Sequence, residues 1–201
     1  DFQLGEATLR HFPGPAFGQQ GMRKLMGAEA GDLLIGTIVK PTAGLTPAEV
    51  ADLCYETALG GVQFIKDDEK MLNPAYCPLE ERVPRVVEKL KRAEDITGRR
   101  VIYAPHITTR PERLLHNAEI ALEHGATALM VNFFAAGFNS LYTLRTQISR
   151  QVPIYAHCGG KEAFSRVPNQ GIDPVAVAHF VRLLGGDCFR VSTVGGYLVG
   201  A

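Results

Sequence analysis

One lysine and three carboxylates follow a short apolar stretch of the chain, in the order Lys66-Asp67-Asp68-Glu69. The preceding residues 62–65 (VQFI) have the composition of a buried strand. Because side chains alternate between the faces of a strand, Lys66 and Asp68 should point one way and Asp67 the other. Glu69 lies where the loop begins and can turn back. We therefore expect Lys66, Asp68 and Glu69 to converge on one point.

The residue types at this cluster allow three interpretations. If the lysine is an ordinary ammonium, the cluster is a group of salt bridges. If the lysine carries a carbamate formed with CO₂, the site consists entirely of anionic oxygens, which suits a hard cation such as Mg²⁺. Carbamate formation needs a neutral amine, and burial favours that form. The third interpretation is a solvated turn without chemistry, and the residues alone leave all three open.

The rest of the chain alternates between apolar segments with strand character and amphipathic segments with helical spacing. This alternation predicts a parallel α/β sheet whose six strands are buried on both faces. Thr46 and Pro47 have the residue types of a helix start, and Gly60-Gly61 and Gly98 those of helix ends. The predicted strands lie in residues 33–40, 62–65, 101–105, 128–132, 153–157 and 187–192, and the predicted helices lie near residues 22–27, 47–59, 79–97, 110–124, 140–150 and 174–184.

In every predicted strand, the apolar run ends at, or is directly followed by, a polar residue. Functional groups of parallel α/β folds collect at the carboxyl ends of the strands, so these residues predict one opening lined with chemically active side chains. A doubly wound sheet and a (β/α)8 barrel both fit the pattern. If the fold is a barrel, two of its eight units are absent from this sequence. The six strand-end residues are Lys40, Lys66, His106, Asn132, His157 and Arg190.

The composition limits the partners and the compartment. The chain has 21 Lys+Arg and 21 Asp+Glu and a formal net charge of zero, which argues against a nucleic-acid or anionic-membrane partner. No apolar run is long enough to span a bilayer. Cys54, Cys77, Cys158 and Cys188 lack zinc-site spacing, so we expect reduced thiols in a cytoplasmic protein. The chain does not begin with Met, and we expect it to be a fragment of a longer protein.

Two motifs carry a resemblance to a known family. Residues 36–45 read GTIVKP-x-x-GL and residues 60–69 read GG-x-x-F-x-KDDE, which resembles the large subunit of ribulose-bisphosphate carboxylase (RuBisCO). FPGPAFG at residues 12–18 is similar to the segment before the family's barrel. GGD-x-x-x-x-STVGG at residues 185–196 is similar to its sixth strand and mobile loop. The resemblance covers essentially the whole chain and implies a (β/α)8 TIM barrel, with a lead-in at residues 1–31 and barrel units one to six at residues 32–201.

The resemblance also implies roles for five residues. Lys66 matches the lysine that carries CO₂ as a carbamate, and Asp68 and Glu69 match the other two Mg²⁺ ligands. Lys40 resembles the strand-one lysine that helps to deprotonate and polarise the substrate, and His157 matches a histidine near the metal. The family's shared reaction removes a proton next to a carbonyl and gives an enediolate held by Mg²⁺. The family forms dimers, so we also expect a homodimer or a higher multiple.

Four positions depart from the carboxylase pattern. Thr42 replaces the second lysine of the first motif, and Cys158 replaces an arginine that grips a phosphate. Arg190 stands at a histidine position, and Tyr197 stands where the mobile loop has the lysine that stabilises the carboxylated intermediate. A phenol cannot supply a mobile cation. This pattern resembles the RuBisCO-like proteins, or form IV, which enolise, isomerise or cleave phosphorylated keto-sugars and sugar acids.

We therefore expect Mg²⁺-dependent enolisation of a phosphorylated keto-sugar or sugar acid, by an enolase, isomerase or carbon–carbon lyase type of reaction without productive CO₂ fixation. A genuine ribulose-1,5-bisphosphate carboxylase and a non-catalytic scaffold member of the family are the alternatives. Arg190 is expected to grip the substrate phosphate bidentately. The Gly195-Gly196 pair is expected to form either a plain turn or a backbone nest for phosphate. The complete set of expected substrate-binding residues is Arg190, Thr193, Gly195, Gly196, His106 and Asn132.

Overall fold

Six parallel strands form two three-stranded sheets in the computed structural model, which describes residues 4–164 and 171–190. The first sheet has the order β1-β2-β3 and the second the order β4-β5-β6, and a bridge between His106 and Met130 joins them. This consecutive parallel order is that of part of a (β/α)8 barrel, so the predicted fold class is confirmed. The strands are β1 (Gly36–Ile38), β2 (Phe64–Lys66), β3 (Ile102–Ala104), β4 (Leu129–Asn132), β5 (Ile154–His157) and β6 (Cys188–Phe189).

The helices follow the strands as predicted, with ends that differ by a few residues. Two four-residue helices were not predicted, α1 and α6, because one turn is too short to show a helical period. Helix α2 begins before its predicted start at residue 22. The helices are α1 (Glu6–Leu9), α2 (Gly18–Leu25), α3 (Pro47–Leu59), α4 (Leu79–Thr97), α5 (Pro111–Glu123), α6 (Phe133–Ala136), α7 (Asn139–Gln147) and α8 (Pro174–Leu183), with a 3₁₀ turn at Lys161–Phe164.

Local signals fix the ends of the helices that follow β1 and β2. The Thr46 hydroxyl accepts a hydrogen bond from the Glu49 backbone N–H at 3.3 Å, and the Glu49 carboxylate accepts one from the Thr46 N–H at 2.7 Å. This reciprocal capping box satisfies backbone donors that the first turn of α3 leaves open. Helix α4 ends at Gly98, whose φ of 67° is left-handed and favours glycine.

The two faces of the sheets carry different cores. Outward-facing strand residues such as Ile65 and Tyr103 pack under the helices in the main apolar cluster. Inward-facing residues form a smaller cluster of Ile102, Ala104, Ala128 and Met130, with Phe64 and Tyr155 packed against it. Successive residues of β2 and β3 therefore belong alternately to the barrel interior and to the helix layer.

The prediction that all six strands are buried on both faces is wrong for β1 and β6. Gly36 is exposed, and the other residues of these two strands are only half-buried. Leu33 and Ile35, before β1, are 78% and 49% exposed. Each of these two strands has a neighbour on one side only among the described residues, so its other edge lacks cover there.

Asp187 attaches the lead-in segment to the amino ends of β5 and β6. Its Oδ1 accepts hydrogen bonds from the N–H groups of Phe17 (2.6 Å) and Gly18 (3.0 Å). Its Oδ2 accepts one from the Ile154 N–H at 2.8 Å and is paired with Arg145. One buried carboxylate thus joins residues 17–18 to the barrel. The boundary at residue 31 between lead-in and barrel remains a prediction from the sequence.

Two further observations concern the helices and the cysteines. Within the described residues, no helix combines the length and apolar character that crossing a bilayer requires. All four cysteines lie in described positions, none of them forms a disulfide, and three of them are buried.

Replacing Thr46 by Ala should destabilise the full-length protein by about 1 kcal/mol, because the substitution removes the side-chain half of the α3 capping box. Chemical unfolding at equilibrium measures the change. Thr46→Ser keeps the hydroxyl and is the matched control. Equal unfolding free energies for the Ala and Ser variants would contradict a capping role for Thr46.

Candidate functional site

Residues of four strands and of the segments that follow them line one cavity, which extends along the inner face of the sheets and past their carboxyl ends. The cavity has a volume of about 480 Å³. Lys40, which follows β1, meets Lys66 and Glu69, which end and follow β2. Tyr155 of β5 and Arg190, which follows β6, complete the polar lining. Four strands and the segments after them thus bring two lysines, a glutamate, a phenol and a guanidinium around one space.

Lys66 is buried in this cavity, with 8% of its surface exposed. Its Nζ donates to the Asp67 backbone carbonyl at 3.1 Å and lies 3.5 Å from Glu69 Oε2. The ammonium also lies 6.0 Å from the centroid of the Tyr155 ring. Burial lowers the pKa of Lys66, although the charges of Glu69 and Asp68 oppose that shift. The interpretation of this segment as a solvated turn is wrong.

Asp68 pairs with a different lysine. Its side chain is fully buried, forms a salt bridge with Lys40, and accepts a hydrogen bond from the Lys70 N–H at 2.8 Å. The hydrogen bond to Asp68 raises the pKa of Lys40, whose side chain is 54% exposed. The predicted convergence of Lys66, Asp68 and Glu69 therefore takes the form of two ion pairs. Lys66 pairs with Glu69, and Asp68 pairs with Lys40.

His157 brings a neutral imidazole to Glu69. Burial, reinforced by the charge of Lys66, lowers the pKa of His157 to about 4. Its Nδ1 accepts a hydrogen bond from the Gly159 N–H at 3.0 Å, so the neutral ring carries its proton on Nε2. His157 Nε2 lies 3.6 Å from Glu69 Oε2. Both atoms are buried and have no hydrogen-bond partner of acceptable geometry.

The donor set fits a metal only if the lysine takes part. Within residues 4–164 and 171–190, no three His, Cys, Asp or Glu side chains are grouped so that they could hold a metal ion. Asp68 and Glu69 supply two carboxylates, and Lys66 Nζ lies beside the unsatisfied Glu69 oxygen. An oxygen group on Lys66 would complete an all-oxygen set of the kind that Mg²⁺ prefers. The residues present therefore fit Mg²⁺ with a carbamate on Lys66.

Asp67 points away from the cavity, as the strand alternation predicts, into the layer beneath α4. Its carboxylate accepts hydrogen bonds from the Tyr103 hydroxyl at 2.7 Å and the His106 N–H at 3.0 Å. Arg82 of α4 donates to it from Nε at 3.2 Å and from Nη2 at 3.0 Å. Sequence reasoning missed Arg82 and Tyr103. A signal existed for Arg82, which shares the buried stripe of α4 with Leu79 and apolar residues further along the helix.

The other predicted site residues lie at the edge of this arrangement or outside the described residues. His106 is fully buried, both its ring nitrogens lack hydrogen-bond partners, and burial lowers its pKa to about 4. Asn132 Oδ1 caps α6 by accepting from the N–H groups of Phe134 (3.2 Å) and Ala135 (3.4 Å). Neither His106 nor Asn132 lines the cavity. Thr193, Gly195, Gly196 and Tyr197 lie outside the described residues.

Comparison with known proteins decides the family. Residues 18–201 match the family model described as "Ribulose bisphosphate carboxylase large chain, catalytic domain". The chain belongs to the RuBisCO large-chain family. A similar relative is the 3-oxo-isoapionate-4-phosphate decarboxylase of Rhizobium etli, which is 40% identical over 195 residues, or 96% of this chain and 46% of that protein. The resemblance to RuBisCO-like members is confirmed.

Solved structures of this family have the same fold. A rubisco-like protein (MtnW) from Alicyclobacillus acidocaldarius is 36% identical with a TM-score of 0.84, covering 92% of this chain and 47% of that one. The octameric RuBisCO from Pyrococcus horikoshii is 33% identical with a TM-score of 0.91, covering 100% of this chain and 47% of that one. This chain therefore spans about half the length of these relatives, and RuBisCO-like proteins and RuBisCOs share its barrel.

The two buried histidines should be neutral above about pH 4 in the folded protein, because burial opposes their protonation. Nitrogen-detected NMR of the full-length protein should give midpoints near pH 4 for His106 and His157, and should show the Nε2–H tautomer for His157. The His157→Gln variant assigns its signals. A midpoint near 6.5, or a proton on Nδ1 of His157, would contradict the described geometry.

Because the unfolded histidines bind protons near pH 6.5 and the folded ones only near 4, the unfolded state binds more protons between these values. The free energy of unfolding should therefore fall as the pH is lowered from 6.5 to 4. Denaturant titrations at several pH values would measure this slope, which should be shallower in the His157→Gln variant.

Proposed function

We propose that the protein is a RuBisCO-like enzyme that enolises a phosphorylated keto-sugar or sugar acid with the help of Mg²⁺. One observation carries the proposal: Glu69 Oε2 and His157 Nε2 are buried and unsatisfied, 3.6 Å apart, beside the buried amine of Lys66. Buried polar atoms normally have partners, and those that lack them call for an explanation. A metal ion held by Glu69 would satisfy the carboxylate oxygen.

Lys66, as its carbamate, and Asp68 and Glu69 would hold the metal in this proposal. Bound there, Mg²⁺ acts as a Lewis acid that stabilises negative charge on the substrate oxygens. Burial of Lys66 supports this role because a lysine reacts with CO₂ as the neutral amine, and its pKa is lowered by that burial. The salt bridge from Asp68 to Lys40 would be exchanged for a bond to the metal.

The chain's own side chains would handle the proton. Lys40 is partly exposed at the rim and, once released from Asp68, is free to reach the substrate carbon next to the carbonyl. Loss of that hydrogen bond also removes the main cause of the raised pKa of Lys40, which favours a role as base. His157 presents Nε2–H, a donor, toward Glu69, which lines the cavity. Phe64 and Tyr155 stack with ring centroids 5.4 Å apart and give the cavity an aromatic wall.

A phosphate on the substrate is supported by charge and by the relatives. Arg190 lines the cavity, and a guanidinium matches the geometry of a phosphate. The Rhizobium etli relative is named for a phosphorylated keto acid. We propose Arg190, Thr193, Gly195, Gly196, His106 and Asn132 as substrate-binding residues. Because His106 and Asn132 do not line the cavity, they would need to act from behind it.

CO₂ addition is not part of the proposed reaction. Thr42, Cys158 and Tyr197 stand where the carboxylase pattern has two lysines and an arginine. Replacing these cations removes charge that a carboxylated intermediate would need. We also propose self-association as a homodimer or higher multiple in the cytoplasm, and the octameric relative supports the self-association.

¹³C NMR of the full-length protein under ¹³CO₂ tests the metal site. A carbamate resonance should appear, strengthen with Mg²⁺ and vanish in Lys66→Ala. Lys70→Ala is the matched control, since Lys70 is exposed and only four residues away. Absence of the resonance in the wild-type protein, or its survival in Lys66→Ala, would overturn the proposed cofactor arrangement.

The reaction itself is tested by hydrogen exchange into the substrate. With Mg²⁺ and CO₂ present, the protein should exchange deuterium from solvent into the carbon next to the carbonyl of 3-oxo-isoapionate 4-phosphate or a similar phosphorylated keto acid. Lys40→Met should lower that rate by about 10²-fold or more, because general acid–base catalysis contributes that much. Fixation of ¹⁴CO₂ onto ribulose 1,5-bisphosphate would favour the carboxylase alternative, and inactivity with every substrate would favour the scaffold.

A further inference from the structure

A buried ion pair lies directly behind the candidate metal ligands. The side chains of Arg82 and Asp67 are fully buried. Two guanidinium nitrogens of Arg82, the Tyr103 hydroxyl and the His106 N–H all donate to the Asp67 carboxylate. We call Asp67, Arg82 and Tyr103 the Asp67 anchor. It joins helix α4 and strand β3 to the end of β2.

The backbone of Asp67 connects this anchor to the cavity. Its N–H donates to the Ala104 carbonyl at 3.2 Å, and its own carbonyl accepts from Lys66 Nζ at 3.1 Å. Asp67 also lies between Lys66 and Asp68 in the sequence, so a rotation of its backbone would move both side chains. Asp67 therefore lies between Lys66, which lines the cavity, and Asp68, which pairs with the cavity residue Lys40.

The same arginine reaches the loop that follows Glu69. Arg82 Nη1 donates to the Cys77 carbonyl, and the Leu79 N–H at the start of α4 donates to Asn73 Oδ1 at 2.7 Å. Residues 70–78 are thus tied to the first turn of α4 at two points. Since the loop begins at Glu69, these ties also limit where the glutamate can lie.

Stability alone is a weak reason for such a pair, because well-packed apolar residues often replace a buried ion pair without loss of stability. We propose that the Asp67 anchor is a positioning device, which sets the geometry of Lys66, Asp68 and Glu69 without contacting metal or substrate. The inference rests on the proposed function insofar as it treats these three residues as ligands. Residues that orient metal ligands commonly change metal affinity 10–100-fold when they are mutated.

Arg145 offers a matched control at the other end of the strands. It is a buried arginine paired with a buried aspartate, Asp187, and it donates to the Gly185 carbonyl from Nε at 3.0 Å and Nη2 at 2.9 Å. Asp187 lies at the amino ends of β5 and β6, whereas the anchor lies at the carboxyl end of β2. Arg82→Lys and Arg145→Lys therefore make the same change in similar surroundings, near to and far from the cavity.

The experiment compares full-length wild type, Arg82→Lys, Tyr103→Phe and Arg145→Lys. Three quantities are measured: the unfolding midpoint, the affinity for Mg²⁺ under CO₂ by calorimetry, and backbone hydrogen exchange of residues 64–72 by mass spectrometry. The Asp67, Lys70 and Met71 amides report on the strand end, since their hydrogen bonds run to Ala104 and Asp68.

Both arginine variants should lower the unfolding midpoint, because a lysine cannot reproduce the forked hydrogen bonds of a guanidinium. Arg82→Lys alone should weaken Mg²⁺ binding by about tenfold or more and speed exchange at the reporter amides. Tyr103→Phe should shift both quantities in the same direction by less. Equal Mg²⁺ affinity and equal exchange in the two arginine variants would overturn the positioning role and leave a purely structural pair.

Failure of the proposed function would look different. If the wild-type protein neither binds Mg²⁺ nor forms a carbamate, that function is wrong, and the exchange comparison still decides the anchor. Faster exchange in Arg82→Lys but not in Arg145→Lys would support it, and unchanged exchange would overturn it. If Arg82→Lys does not fold, Tyr103→Phe decides by the same readouts, because it removes one hydrogen bond without leaving an unpaired charge.

Discussion

The alternation of side chains at the end of β2 is the constraint on which the site depends. Lys66 and Asp67 must lie on opposite faces of the sheet, and both faces are buried there. A carboxylate that enters the layer under the helices is costly unless cations and donors meet it. Arg82 and Tyr103 are those partners. The alternation of side chains at the end of β2 thus explains both why Lys66 lies in the cavity and why Arg82 lies in the helix layer.

Exposure separates the two lysines of the cavity. Lys40 and Lys66 each pair with one carboxylate, yet their pKa values shift in opposite directions. The hydrogen bond to Asp68 raises the pKa of the half-exposed Lys40, whereas burial lowers the pKa of Lys66. Under the proposed function, the same residue type would serve two tasks: Lys40 as an ammonium that can exchange partners, and Lys66, whose pKa is lowered by burial, as the amine that reacts with CO₂.

Features set by neighbouring residues in the sequence were predictable. The capping residue Thr46, the helix end at Gly98 and the opposite orientation of Asp67 each follow from a few adjacent positions. Features set by other elements were not. The pairing of Asp68 with Lys40 depends on where β1 places its lysine, and the exposure of β1 depends on which strands lie beside it. The helical spacing of α4 indicates that Arg82 is buried. It does not indicate with which carboxylate the arginine pairs.

The distribution of matches and departures over the barrel has a physical reason. Lys66, Asp68 and Glu69 lie at or next to the end of a strand whose backbone is fixed by hydrogen bonds to both neighbours. Thr42, which differs from the carboxylase pattern, lies beyond the end of β1, where a new side chain need not be accommodated by a packed core. Cys158, which also differs, directly follows β5 and is buried in the main apolar cluster. Under the proposed function, such a barrel would keep the groups at the end of β2 while a substitution in a loop alters the fate of the enediolate. The Asp67 anchor would then support those groups from the helix layer.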